Sequence, residues 1–189
     1  MNRFKKIIKY LSLLILLLIL SRGVLFRTLV KYSEVDRRKN SVLTDKNLIA
    51  EINYQTEGKV LNIEEIIALS NEITSDTLAF SLNKVSSNAN SVYTSKKANC
   101  IGYSSLFNSV GNYILAEQKL TDSYEFIHLV GALNVLGFNI HNLFDNPFFK
   151  DHDYNEIKYK KMNTKLFVDP SLWDYLRIEY VSSQKNSLE

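Results

Sequence analysis

The chain has one cysteine in 189 residues. An intramolecular disulfide is therefore excluded, and cysteine usage leaves the redox compartment undecided. Internal repeats are absent. Most of the chain also lacks a basic surplus. Ten of the 23 Lys and Arg fall in residues 1–39 beside only Glu34 and Asp36, a local balance of +8. The other 150 residues keep 13 basic and 18 acidic side chains, a balance of −5. A globular part of that sign matches a phosphate backbone poorly, so nucleic acid is not an expected partner. Behind the apolar N-terminus no small-x-small cleavage site follows, which argues against a cleaved signal peptide. No cysteine follows closely either, which argues against a lipoprotein anchor.

What is present is apolar enough to fold. With 46% hydrophobic and 12% aromatic residues, a core for one domain plus an appendage is available. The appendage is the segment "MNRFKKIIKYLSLLILLLILSRGVLF". Ile7–Phe26 gives twenty residues, the length of a membrane span, with Lys9 and Arg22 placed to snorkel at its ends. Residues 1–27 are therefore expected to be an uncleaved membrane anchor, with a signal segment as the other reading. Basic residues crowd both ends, so the charge rule leaves the orientation open. Residues 28–47 are polar and basic and read as a stalk, which leaves 48–189 as the domain.

Within that domain "LNIEEIIALSNEI" reads as a helix capped by Asn62, with carboxylates in its first turn. "SDTLAFSLNKV" reads as the start of another, capped by Ser75 or Asp76, and "SSNANSVYTSKKAN" as a loop. Cys100, Tyr103, Leu106, Phe107, Val110 and Ile114 then recur at helical spacing behind an N-cap at Asn99. From Tyr124 onward the pattern becomes strand-like: "YEFIHLVGALNVLGFNIHNLF", then His152–Tyr159, then Lys165–Asp169. Helices followed by antiparallel strands predict an α+β fold.

Period two puts His152, Tyr154 and Glu156 on one strand face and Asp153, Asn155 and Ile157 on the other. A turn around Lys160–Asn163 would bring Asp169 opposite His152 or one diagonal pair away, about 5–8 Å between backbones. Cys100 would be the first residue of its helix, where the dipole and free N–H groups favour a thiolate. A thiolate works best beside an imidazole that takes and returns its proton, and the imidazole needs an acceptor on its other nitrogen. Asp169 is placed to be that acceptor. His128 and His141 lie in an apolar stretch and read as structural. Trp173 reads equally as a cover for the His–Asp pair or as a core or surface residue. Asp151, His152, Asp153 and Glu156 point to opposite faces of a strand and make a poor metal cage.

"NCIGYSS", "HDYNEI" and "LFVDPS", in that order over roughly residues 62–174, resemble the transglutaminase-like superfamily, whose fold is related to papain-like proteases. The resemblance implies a transglutaminase-like, papain-like core with helices packed on an antiparallel sheet. It further implies Cys100 as nucleophile, His152 as base and Asp169 as orienting acid, with no cofactor and no metal. Ala98 stands where the family commonly carries Gly, and Tyr154 where it carries Trp. The expected function is a membrane-anchored cysteine enzyme of the cell envelope acting on amide or ester bonds through a thioester. Its partner would be a protein, peptide or other amide-bearing substrate. A non-catalytic interaction module that keeps the fold is the competing expectation.

Overall fold

Asparagine and aspartate set most of the helix starts. Each caps a helix by accepting N–H groups of the first turn that have no intrahelical partner. The computed structural model describes residues 2–162 and 164–184. Among these residues α1 (Asn2–Leu29) comes first, then α2 (Lys46–Thr56) behind Asp45 and α3 (Ile63–Thr77) behind Asn62. A capping box with Glu65 reinforces the start at Asn62. Next come α4 (Ala89–Ser95) behind Asn88 and α5 (Cys100–Glu117) behind Asn99. The sixth, α6 (Pro170–Leu176), starts at Asp169, with Pro170 at the first helical position, where its missing N–H costs nothing.

The strands are β1 (Val30–Arg37), β2 (Ala79–Phe80), β3 (Lys97–Ala98), β4 (Tyr124–Val135), β5 (Phe138–Asn139), β6 (His152–Tyr159), β7 (Thr164–Val168) and β8 (Ser183–Gln184). The main sheet runs β7-β6-β4-β1-β8, with β5 paired to the end of β4; β2 and β3 form a separate parallel pair. The α+β class holds, but the sheet is mixed rather than antiparallel, because β8 joins β1 in parallel.

Residues directly opposite in an antiparallel pair share a face. Asp153, Asn155 and Ile157 pair with Val130, His128 and Phe126, while His152, Tyr154 and Glu156 pair with Gly131, Leu129 and Ile127. The first face is covered by α5. Ile157, Phe126 and Val168 pack there with Tyr103, Leu106, Phe107, Val110 and Ile114. Each such side chain contributes about 1.5–3 kcal/mol of burial. Gly111 permits the close approach, since a Cβ there would lie 2.5 Å from the Phe126 ring. On the opposite face Tyr32, Leu129, Tyr154 and Val181 form a second, smaller cluster.

Three local expectations are corrected. Residues 28–47 are not a stalk: β1 is an inner strand of the sheet, and α1 and α2 extend into the segment from either side. Ser75 and Asp76 do not cap a new helix. They lie in the last turn of α3, and the chain then leaves as β2 to pair with β3. The Ser/Asn-rich loop contains α4, which buries Ala89 and Val92. Asn163, at the end of the expected hairpin turn, lies outside the described residues.

Candidate active site

His152 opens β6, and Asp169 directly follows β7. The register pairs Asn155 with Val168, so Asp169 stands one diagonal step from His152. Their side chains meet, with His152 Nε2 2.6 Å from Asp169 Oδ2. This bond occupies Nε2 and leaves Nδ1 as the nitrogen free for another partner. Cys100, half-buried at the first position of α5, lies near enough to the same imidazole to help raise its pKa. The structure therefore brings together the three residues singled out in the sequence.

The helix and the strand are held in register by polar contacts. Asn108 Nδ2 donates to Asn155 Oδ1 at 3.1 Å, and Asn155 Nδ2 donates to the Ser104 carbonyl at 3.2 Å. All three residues are buried. A buried amide left unpaired would cost about 1–3 kcal/mol, so a slip of α5 along β6 is penalised.

Asp169 is unusually well furnished with donors. Its Oδ2 accepts from the Tyr32 hydroxyl at 2.8 Å as well as facing His152. Its Oδ1 accepts from Ser171 N at 3.0 Å, Ser171 Oγ at 2.7 Å and Leu172 N at 3.1 Å. Burial alone would raise its pKa. The charge and hydrogen bond of His152, then the bonds from Ser171 and Tyr32, outweigh burial and hold it at about 2. For His152, burial alone would lower the pKa. The charge and hydrogen bond of Asp169, and then those of Cys100, hold it well above the ordinary histidine value. A fixed carboxylate thus favours an imidazolium next to the sulfur.

Tyr32 is a component that sequence reasoning missed. It lies on β1, inside the segment read as a stalk. Its ring edge meets the His152 ring at 5.8 Å between centroids, and Tyr154 packs behind it at 4.8 Å. Burial first, and then Asp169, push its pKa well above the usual tyrosine value, so the hydroxyl remains a donor. The N-cap role of Asp169 was also missed, although Asp-Pro-Ser after a strand is a helix-start signal.

The other candidates have separate partners. Asp153 is buried on the α5 face, where His128 Nε2 lies 2.7 Å from Oδ2 and the Arg38 guanidinium grips both oxygens. Burial would raise its pKa, but the hydrogen bonds from His128 and Arg38 lower it. Glu156 is buried and bonded to Lys165 Nζ at 2.7 Å. His141 faces the Phe149 carbonyl through Nδ1 at 2.6 Å. Trp173 carries the Arg177 guanidinium over its ring. Among the described residues no group of three or more His, Cys, Asp or Glu is placed to hold a metal.

A cavity of about 560 Å³ reaches His152 and Asp169 from the side of Tyr32 and is otherwise mostly apolar. Comparison with family models, with curated proteins and with solved structures returns no match to this chain.

Proposed function

We propose that the chain is a membrane-anchored, transglutaminase-like cysteine enzyme that acts on amide or ester bonds through Cys100, His152 and Asp169. The observation that carries this reading is the His152–Asp169 contact at 2.6 Å, with Cys100 near enough to help raise the pKa of the same imidazole. The Cys100 proton passes to His152 Nδ1, and the sulfur attacks the acyl carbonyl carbon. A C–S bond forms as the C–N or C–O bond breaks, and His152 returns the proton to the departing amine or alcohol. Water or an amine then attacks the thioester by the reverse sequence. The Cys100 N–H, at the head of α5, has no intrahelical acceptor and is available to the developing oxyanion.

The anchor part of the reading rests on α1. Arg3–Leu29 is long and apolar enough to cross a membrane, and its apolar window has no protein covering. Its last turns belong to the fold. Arg22 donates to the carbonyls of Leu176 and Arg177 at 2.7 and 3.2 Å, and Ser182 Oγ donates to the Arg27 carbonyl at 3.1 Å. Removing the helix as a leader would strip those contacts. This supports a retained anchor over a cleaved signal.

The test is thiol alkylation of the full chain in detergent at about pH 6, where a paired thiolate reacts and an ordinary thiol hardly does. Fast labelling of Cys100 that collapses in His152→Ala is the expected result. Equal rates in the two proteins would remove the thiolate–imidazolium pair and leave the interaction-module reading.

A further inference from the structure

The cavity beside His152 is built unlike a peptide cleft. At about 560 Å³ it lies within the usual range for ligand sites, about 300–1,000 Å³. Its walls are Phe26, Leu133, Leu172 and Leu176 with tyrosine rings, and the one carboxylate in it, Asp169, is already satisfied. Among the described residues no Lys, Arg or Glu lines it. A charged or strongly polar ligand group would lose its hydration there without compensation. A hydrocarbon chain would not.

The position of the cavity indicates where such a chain comes from. Phe26 belongs to α1, one turn beyond Arg22, and the preceding run from Ile7 to Leu20 is exposed apolar surface. The Arg22 bonds to Leu176 and Arg177 fix the end of α6 against α1 at the level where that run stops. Leu176, exposed and bonded through its carbonyl to Arg22, therefore lies beside α1, and Tyr175, also exposed, lines the same cavity. The cavity wall thus includes both Phe26 of the apolar helix and the His152 imidazole. We propose that it holds the hydrocarbon chain of a membrane lipid, and that the enzyme's acyl substrate is lipid-borne. The inference rests on the reading of Cys100, His152 and Asp169 as a catalytic unit, and it adds the substrate class.

The experiment uses the full chain in phosphatidylcholine nanodiscs carrying a trace of phosphatidylcholine with a diazirine near the end of one acyl chain. After illumination, mass spectrometry should find crosslinks on Leu133 and on residues 170–176 as well as along α1. Leu133→Arg should lower the cavity crosslinks about tenfold, the response to about 1.4 kcal/mol, and leave those on Leu11–Leu20 unchanged. Leu172→Trp, which fills the cavity with an apolar group, serves the same purpose if the arginine disturbs the fold. In parallel, Cys100 is labelled with a chloroacetamide bearing a short or a long alkyl tail. The long tail should be favoured in wild type, and the preference should vanish in the cavity variants while the short-tail rate persists. Crosslinks confined to α1, or a preference that survives in both variants, would overturn the lipid site while leaving a His152-dependent thiol intact. Cavity crosslinks with His152-independent labelling would instead overturn the catalytic reading, and the substrate assignment with it.

Discussion

Tyr32→Phe removes one oxygen from the site and nothing else. The ring keeps its contacts with His152 and Tyr154, but Asp169 Oδ2 loses a donor at 2.8 Å. Both partners are buried, Tyr32 at 1% and Asp169 at 2% exposure, so water cannot replace the bond. A hydrogen bond to a buried charged group is worth about 1.5–3 kcal/mol. At about 2 kcal/mol, and about 2–4 °C per kcal/mol for a chain of this size, the variant should melt about 4–8 °C lower at neutral pH. The pH dependence gives a second readout. Asp169 is depressed to about 2, so its contribution is fully present above the unfolded carboxylate value and is lost as pH falls through the folded value. Without the tyrosine hydroxyl the folded value rises, and the acid limb of the stability curve moves to higher pH. The deficit should shrink as both proteins are taken from about pH 4 toward about pH 2. Thermal unfolding of the full chain in one detergent, followed by circular dichroism, measures both effects. A variant that melts with wild type at neutral pH, or a deficit unchanged at about pH 2, would refute the assigned bond.

Gly131→Ala should destabilise by about 1–3 kcal/mol, because the new Cβ would lie 2.6 Å from Tyr154 Cε1 and 3.0 Å from the Ser33 carbonyl oxygen. A lower denaturant midpoint with an unchanged slope is the expected signature. Asp153→Ala leaves the Arg38 guanidinium and the buried His128 without their shared carboxylate, and should cost about 3–5 kcal/mol. Urea unfolding measures this, and a loss under about 1 kcal/mol would show that water or another group takes the place of Asp153.

The parts of this molecule that were legible in the sequence are those whose cause is local. Asn62 and Asn99 cap helices because the acceptor and its N–H partners lie within three residues of each other. The stripe from Tyr103 to Ile114 is buried as its spacing requires, and the β6–β7 register follows from a short connection. The misread parts depend on distant partners. In β1 only Tyr32 is buried, and Lys31, Glu34, Asp36 and Arg37 dominate the rest. Period two had almost nothing to act on. What makes this segment a strand is β4, about a hundred residues away, with seven aligned pairs from Val30–Val135 to Arg37–Leu129. In α4 the cap residue Asn88 and the small polar residues after it look like loop chemistry, and only the burial of Ala89 and Val92 makes the helix worth forming.

The misread segment ties the N-terminal helix to the His152–Asp169 pair. From Phe26 to Arg38 the chain passes from a cavity wall, through the donor to Asp169, to the cation on Asp153. Phe26 and Tyr32 also touch each other, with ring centroids 6.4 Å apart. A flexible stalk would separate the orientation of α1 from the site. A strand hydrogen-bonded on both edges does not. Tyr32, held in that strand, keeps its hydroxyl on the Asp169 carboxylate that faces His152. The placement of α1 and the orientation of the Asp169 carboxylate are therefore linked through the segment from Phe26 to Tyr32.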